Sequence, residues 1–409
     1  MSKPMEDQSS ESSLSKGETT SKQDDASLRI LRVASDVYPD VMGGVGIHVH
    51  EMSKLQAKLG HEVTVLTSDH GDRGQPRKEN RDGYEIRRHR ELVSPIDNSI
   101  FPGLAQSLFQ MASDYDVVHA HSHLFFSTNL AAVFSRLDDT PLVVTNHGLI
   151  SQTAPKWLQK AFIPTVARFT LNTADQIFCY SETDEQRLRE RGIKTDVSVI
   201  HNGIDCETFV PMDVDTSEGL QVLFVGRLKP GKGVDDLLVA FEDVIKEFPE
   251  ATLKIVGDGP LRDGLAQLAK DKGIYSSVRF AGRIPNDEMP KVYAASDVFV
   301  LPSKNEGLPR TVLEAMACRT PVVTSSLPQL EPVVEGAGFM IDADSTEQIS
   351  EYIGKLLEDR DQRISMGETG RRRVEKEYSW AETVRKTTSV YKEVSKATDY
   401  TEFENLDHV

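Results

Sequence analysis

The stretch VGRLKPGKG ends an apolar strand at Val225, turns at Gly226 and hangs two cations, Arg227 and Lys232, from the loop that follows. A helix is expected to start near Gly233. Its first N–H groups have no partner within the helix, and together with two cations they suit a phosphate. A solvated basic turn has the same composition. Further on, EGLPRTVLEAMACRTPVV carries Glu306 and Glu314, eight residues apart. The first falls in a loop and the second about two turns into the next helix. Carboxylates beside a phosphate site are suited to accept hydrogen bonds from hydroxyl pairs on a sugar ring. An acidic helix start, favoured by the macrodipole, accounts for the same residues without a ligand.

Two patterns point to metals more weakly. His119, His121 and His123 alternate along DVVHAHSH, so a strand would bring them to one face. No acidic fourth ligand stands near them, and they read as exposed residues at a strand end, with His121 lining a cleft. Asp114/Asp116, Asp213/Asp215 and Asp342/Asp344 each form a D-x-D pair in a polar turn or at an element boundary. In an acidic chain such pairs are expected by chance. Arg227 and Lys232 already offset phosphate charge, so no metal and no cofactor is expected.

These residues need a scaffold that ends strands and starts helices along one edge. Order is expected from Leu28, where LRILRVASD reads as a buried strand. Gly43, Gly44 and Gly46 form a turn whose missing side chains permit close backbone approach, and the helix after it ends at Gly60. Strand-like runs recur at HEVTVLT, DVVHAHS, PLVVTNHG, DQIFCYS and DVSVIHNG, mostly separated by helical segments. A polar linker at 209–219 follows, and the pattern restarts through QVLFVG, ATLKIVG, SVRFAG, DVFVLPS and TPVVTS. The expected fold class is α/β, with two Rossmann-like doubly wound domains, 28–206 and 207–376, facing across a cleft. A helix at 377–398 follows, with tails at 1–27 and 399–409. Ligands of such sheets bind at the carboxyl ends of the strands.

Composition narrows the choice. The chain has 409 residues, 38% of them hydrophobic, which is enough apolar material for two cores. Its net charge of -17 repels phosphate backbones and argues against nucleic acid as a partner. Cys179, Cys206 and Cys318 are scattered, as small buried residues in a reducing compartment would be. No apolar run reaches the about 18 residues of a membrane span. The first residues are Ser-, Lys- and acid-rich without an apolar core, so a disordered tail is expected rather than a signal peptide. A cytoplasmic location is expected.

One segment departs from the general acidity. KWLQKAFIPTVARFTL carries Lys156, Lys160 and Arg168 and no acid, with Trp157, Phe162 and Phe169 interspersed. It reads as a core helix with a basic outer face, interrupted at Pro164. The alternative is a basic amphipathic surface resting on anionic lipid at the inner face of a membrane.

Taken in order, VGRLKPGKG, VGDGP, the EGLPRTVLEAMA block and the proline-valine strand after it resemble glycosyltransferase family 4, which adopts the GT-B fold. The resemblance runs from about Leu28 to Tyr391. It implies transfer of a hexose-type sugar from a nucleoside diphosphate sugar to an acceptor hydroxyl, with retention at the anomeric carbon and no metal. Arg227 and Lys232 would grip the donor diphosphate, beside Gly226. Glu306 would contact the transferred sugar and Glu314 the ribose, while Gly307 and Leu308 would offer backbone N–H groups. Gly257 to Pro260 and Arg283 would lodge the nucleobase. Gly43, Gly44 and Gly46 match a loop beside the phosphate and acceptor. His147, in TNHG, matches a cleft histidine that positions the sugar or acceptor. The stretch HNGID from His201 resembles the family's hinge element, with His201 in place of the usual proline. The final helix around Trp380 matches one that crosses back to the first domain. The resemblance also points to assembly of cell-surface glycans, N-glycans or glycolipids, and to a lipid-linked saccharide as acceptor. Two other readings stay open: a GT-B epimerase acting on the same donor, and a non-catalytic nucleotide-sugar-binding protein. Incubation with donor alone separates an epimerase from a transferase.

Overall fold

The computed structural model describes residues 27–41, 43–149, 154–212, 219–342 and 344–406. The expected 1–27 tail and the Asp213/Asp215 pair lie almost entirely outside these residues. The short Val- and Ile-rich runs form two sheets, each buried on both faces by helices. The first contains β1 (Arg29–Val33), β2 (Glu62–Ser68), β3 (Lys78–Arg81), β4 (Tyr84–His89), β5 (Val117–His121), β6 (Leu142–Thr145), β7 (Gln176–Cys179) and β8 (Val197–Val199). Their order is β3-β4-β2-β1-β5-β6-β7-β8. All neighbours are parallel except β3 and β4, an antiparallel hairpin. The second contains β9 (Gln221–Val225), β10 (Thr252–Val256), β11 (Val278–Gly282), β12 (Val298–Leu301), β13 (Val322–Ser325) and β14 (Gly338–Ile341). Its order is β11-β10-β9-β12-β13-β14. These are two GT-B α/β domains. Strand order reverses direction at β1 in one and β9 in the other, and such switch points open a crevice above the strand ends.

Three elements were not legible in the apolar pattern. The β3–β4 hairpin is charge-rich, and its sheet register rests on ion pairs. Arg88, buried in β4, bonds Asp40 at 2.8 Å and Glu79 at 2.6 Å. Its Asp82-Gly83 turn, with both residues at positive φ, was the available signal. The short strand β14 follows a glycine-rich loop. The acidic tail expected from residue 399 instead continues the helix Trp380–Leu406.

That helix packs on the first domain. Tyr391 accepts from Arg32 Nη2 at 3.3 Å and pairs with His119 Nδ1, and Gln56 donates to Thr388 at 3.1 Å. Arg32 is fully buried, and its remaining bonds go to Ser53 at 2.6 Å and Gln56 at 2.7 Å. Among the described residues no carboxylate pairs with it. Neutral oxygens carry its solvation, which ties the sheet, the helix Gly44–Lys58 and the final helix together.

The connection between domains runs past this junction. Ile204 exchanges backbone bonds with Tyr378 at 2.8 Å and Trp380 at 3.1 Å. A Cβ on Gly203 would lie 2.4 Å from the Trp380 ring, so only glycine lets the indole close over the crossing. His201, standing where the resemblance expects proline, bonds the Tyr180 carbonyl oxygen at 2.9 Å and packs on Tyr378.

Candidate active site

The loops after the carboxyl ends of β6, β7, β9 and β12 meet across one cavity of about 750 Å³. Five expected site residues line it: His147, Lys232, Glu306, Gly307 and Leu308. Lys232 and Glu306 form a close ion pair there, with both side chains largely buried. Gln329 fixes the loop by donating to the Glu306 carbonyl at 2.6 Å, and Lys304 N–H donates to the Gly231 carbonyl at 2.9 Å. The two loops from separate strands therefore form one wall.

Two helices start at that wall. Val234–Glu247 begins at Gly233 and Arg310–Ala317 begins at Pro309, neither with a side-chain cap. Their first N–H groups stay available to an anion, beside the Lys232 ammonium. Gly233 has φ 67, and a Cβ there would meet the Pro302 carbonyl oxygen at 2.2 Å. Gly257 is required for similar reasons: a Cβ would lie 1.9 Å from the Gly226 carbonyl oxygen. The two glycine loops pack backbone on backbone. Gly307, Gly43 and Gly44 leave open space where a Cβ would be, whereas Gly46 packs against the Val41 carbonyl oxygen at 2.9 Å.

Other expected residues fall away from the cavity. Arg227 and Arg283 are exposed and do not line it. Glu314 is buried, accepts from the Tyr293 hydroxyl at 2.9 Å and has Arg310 Nε at 3.5 Å. Burial raises the Tyr293 pKa well above its ordinary value, so the phenol remains a donor. The two glutamates thus occupy different environments: Glu306 faces the cavity, and Glu314 is fixed behind it.

The histidines correct the sequence reading. His119, His121 and His123 are buried rather than exposed at a strand end. His121 does not line the cleft but stands behind His147, with Nδ1 3.1 Å from His147 Nε2. The strand end is covered by polar and aromatic groups: His119 bonds Thr145 Oγ1 at 2.7 Å and packs on Phe178 and Tyr391, and His121 packs on His48 and His147. His147 Nδ1 lies 2.8 Å from the Tyr180 hydroxyl. His48 packs edge-on against His147 and gives its Nδ1 proton to Asn202 Oδ1 at 3.0 Å. Burial, then the neighbouring His48, holds the His147 pKa well below 6.5. Burial drives His48 down to about 4 and His121 well below its usual value. These rings are neutral near pH 7, and both nitrogens of His147 already have protein partners. The geometry suits positioning and not proton abstraction by that ring.

Three of the D-x-D carboxylates are occupied locally. Asp116 accepts from Arg29 N–H at 2.6 Å, Asp342 from Gln348 Nε2 at 3.0 Å, and Asp344 pairs with Lys304. Among the described residues no group of three or more His, Cys, Asp or Glu is arranged to hold a metal.

The opposite wall comes from residues the sequence reading missed: Tyr180, Asp184, Arg187, Glu190 and Arg191, on and beside the helix Glu182–Glu190. Their signal was positional. The run YSETDE follows β7 at its carboxyl end, and Ser181 caps the helix by accepting from Asp184 N–H at 3.2 Å.

Residues 42–208 match the family model Glycosyltransferase Family 4, and residues 215–373 match Glycosyl transferases group 1. The chain belongs to glycosyltransferase family 4 and is a glycosyltransferase of the GT-B type. It is 27% identical to glycogen synthase of Mycobacterium tuberculosis, over 89% of this chain and 94% of the relative. It is 28% identical to D-inositol 3-phosphate glycosyltransferase of Corynebacterium urealyticum, over 86% and 90%. HepE of Anabaena shares the fold with a TM-score of 0.73 at 20% identity, covering 90% of this chain and 100% of HepE.

Proposed function

We propose that this chain moves a hexose-type sugar from a nucleoside diphosphate donor to an acceptor hydroxyl in glycan or glycolipid assembly, with retention. The observation that carries the reading is the Lys232–Glu306 pair, set between two uncapped helix starts. When donor enters, Lys232 and the helix N–H groups take the diphosphate, and Glu306 is freed to accept from a sugar hydroxyl. As the bond from the anomeric carbon to the diphosphate breaks, negative charge grows on the leaving oxygen. Fixed donors aimed at developing charge stabilise the transition state more than the ground state. The acceptor oxygen then bonds the anomeric carbon from the same face, and its proton passes to the departing diphosphate. Glu306 is the one carboxylate of the Glu306/Glu314 pair on the cavity, and in this reading it accepts from a sugar hydroxyl and does not attack the anomeric carbon. This supports front-face departure and attack.

In this reading Glu314, held by Tyr293, accepts from the ribose. His147 orients the sugar or the acceptor. Lys232 and the helix starts offset the leaving-group charge, so metal is not required. HepE was solved in complex with UDP, which supports a uridine donor. A panel of nucleotide sugars scored by nucleoside diphosphate release tests the reading. Acceptor-dependent release from one donor is expected, and no release or binding with any of them would refute it.

A further inference from the structure

The segment from residue 156 to 173 is a core helix only in its last part, where Ala167, Thr170 and Leu171 are buried. It is one continuous helical path, Lys156–Phe162, a π turn at Ile163–Ala167, then Arg168–Thr173. Pro164 cannot donate to the preceding turn, and the extra residue of the π turn accommodates its ring. No residue of the first piece is buried. Trp157 is 71% exposed, and Phe169 is 49% exposed.

The neighbouring helix Phe126–Asp138 extends this surface. Its outer positions are Val133, Arg136 and Leu137, and Leu137 is 70% exposed. Arg136, Pro164, Arg168 and Phe169 line one shallow depression between the two helices. The charge on this face is of one kind. From Thr140 to Ala174 the chain has no Asp or Glu, although 64 acids are spread over 409 residues. Lys156, Lys160, Arg168 and Arg136 form no ion pair with any described carboxylate. Elsewhere exposed cations such as Arg77, Lys246, Lys355 and Arg372 pair with carboxylates, and acids are interspersed among the rest.

We propose that this face docks on an anionic lipid surface. Ring side chains at the level of the headgroups, flanked by unpaired cations, are what such a surface binds. A protein partner would need acids opposite the same cations, and is an outcome of the test below. The location also bears on the acceptor. Arg168 packs against Gly192, 3.1 Å from where a Cβ would lie, and the adjoining Arg191 lines the active-site cavity. The helix Lys156–Phe162 begins shortly after His147 and Leu149, which line the same cavity. Docking on this face puts an edge of the cleft beside the lipid headgroups, so the acceptor is a saccharide carried on a lipid. Only this last step rests on the transferase reading.

The chain reports its own docking. It has two tryptophans; Trp380 is 4% exposed, so Trp157 dominates any change in emission on binding. Vesicles of phosphatidylcholine with and without phosphatidylglycerol are mixed with the full chain at low and high salt. A blue shift of Trp157 emission and co-sedimentation are expected with the anionic vesicles at low salt only. Replacing Lys156, Lys160 and Arg168 together by Glu should weaken binding by at least tenfold. Its donor hydrolysis and melting temperature should match the wild type, which shows that the variant is folded. Trp157→Phe should abolish the shift while keeping most of the sedimentation. Wild-type protein that ignores anionic vesicles, binds neutral ones equally, or binds as well after charge reversal would overturn the proposal and favour a protein partner. Vesicle binding without any donor turnover would leave docking intact and remove the transferase reading.

Discussion

The Tyr180 hydroxyl lies 2.8 Å from Nδ1 of His147. The phenol stays protonated, because burial lifts its pKa. With Tyr180 donating, the His147 proton sits on Nε2 and points to His121, so one tautomer and one ring orientation are selected. Tyr180→Phe should lower kcat by about tenfold, an effect of the size expected for one buried hydrogen bond. The melting temperature should move only slightly. Unchanged kcat would mean that the ring orientation is set by packing alone.

The buried histidines make a pH prediction. His48 and His123 titrate at about 4 in the folded chain, and His119, His121 and His147 lie well below 6.5. Above pH 6.5 these groups are neutral in both the folded and the unfolded chain. Below it the unfolded chain takes up protons that the folded chain refuses. Stability should therefore fall as pH drops from 6.5 towards 4, by roughly 1 kcal/mol per pH unit for each histidine. Thermal melts at pH 7.5, 6.5 and 5.5 check this. The same shifts leave kcat/KM free of a His147 limb between pH 6 and 8. A flat melting temperature down to pH 5 would show that the rings are less buried than described.

Much of this could be read from the chain, and the exceptions share a cause. Short apolar runs, one followed by Gly226 and the other by Pro302, placed β9 and β12, and the loops beyond them carry Lys232 and Glu306 as expected. The hairpin β3–β4 was missed because ion pairs such as Arg88 with Asp40 replace apolar alternation there. Tyr293 supports Glu314 from 21 positions away, a spacing with no periodic signature. The helix at 156–173 buries Ala167, Thr170 and Leu171 but leaves Trp157 and Phe169 exposed, and an amphipathic pattern does not tell a covered apolar side chain from an uncovered one. For the hairpin and for Glu314 the missing information was a partner distant in sequence.

Lys232 should matter more than Arg227. Lys232→Ala removes the charged donor that stands between the two helix starts and leaves Glu306 without its ion-pair partner. A charge-assisted bond is worth about 1.5–3 kcal/mol, so turnover should fall by roughly ten- to a hundredfold. Arg227 is exposed outside the cavity, and Arg227→Ala should lose less. Steady-state rates on both variants decide the order. Full activity in Lys232→Ala would refute the phosphate assignment.

Chelation separates the charge-offset account from a metal-dependent one. Transfer should persist in EDTA, because Lys232 and the two helix starts supply the positive potential. Activity that vanishes in EDTA and returns with magnesium or manganese would assign that role to an ion.

Calorimetric titration of free nucleoside diphosphate into wild-type, Glu306→Gln and Glu314→Gln protein tests the central claim most directly. The product nucleotide contains the ribose but not the transferred sugar. Glu314→Gln should weaken its binding by about tenfold, which corresponds to about 1.4 kcal/mol. Glu306→Gln should bind it at least as tightly as the wild type, because its own contact is made to the sugar and loss of its charge frees Lys232 for the diphosphate, so the damage would show only as reduced kcat. Loss of nucleotide affinity in Glu306→Gln with unchanged affinity in Glu314→Gln, or no binding by the wild type, would contradict the account.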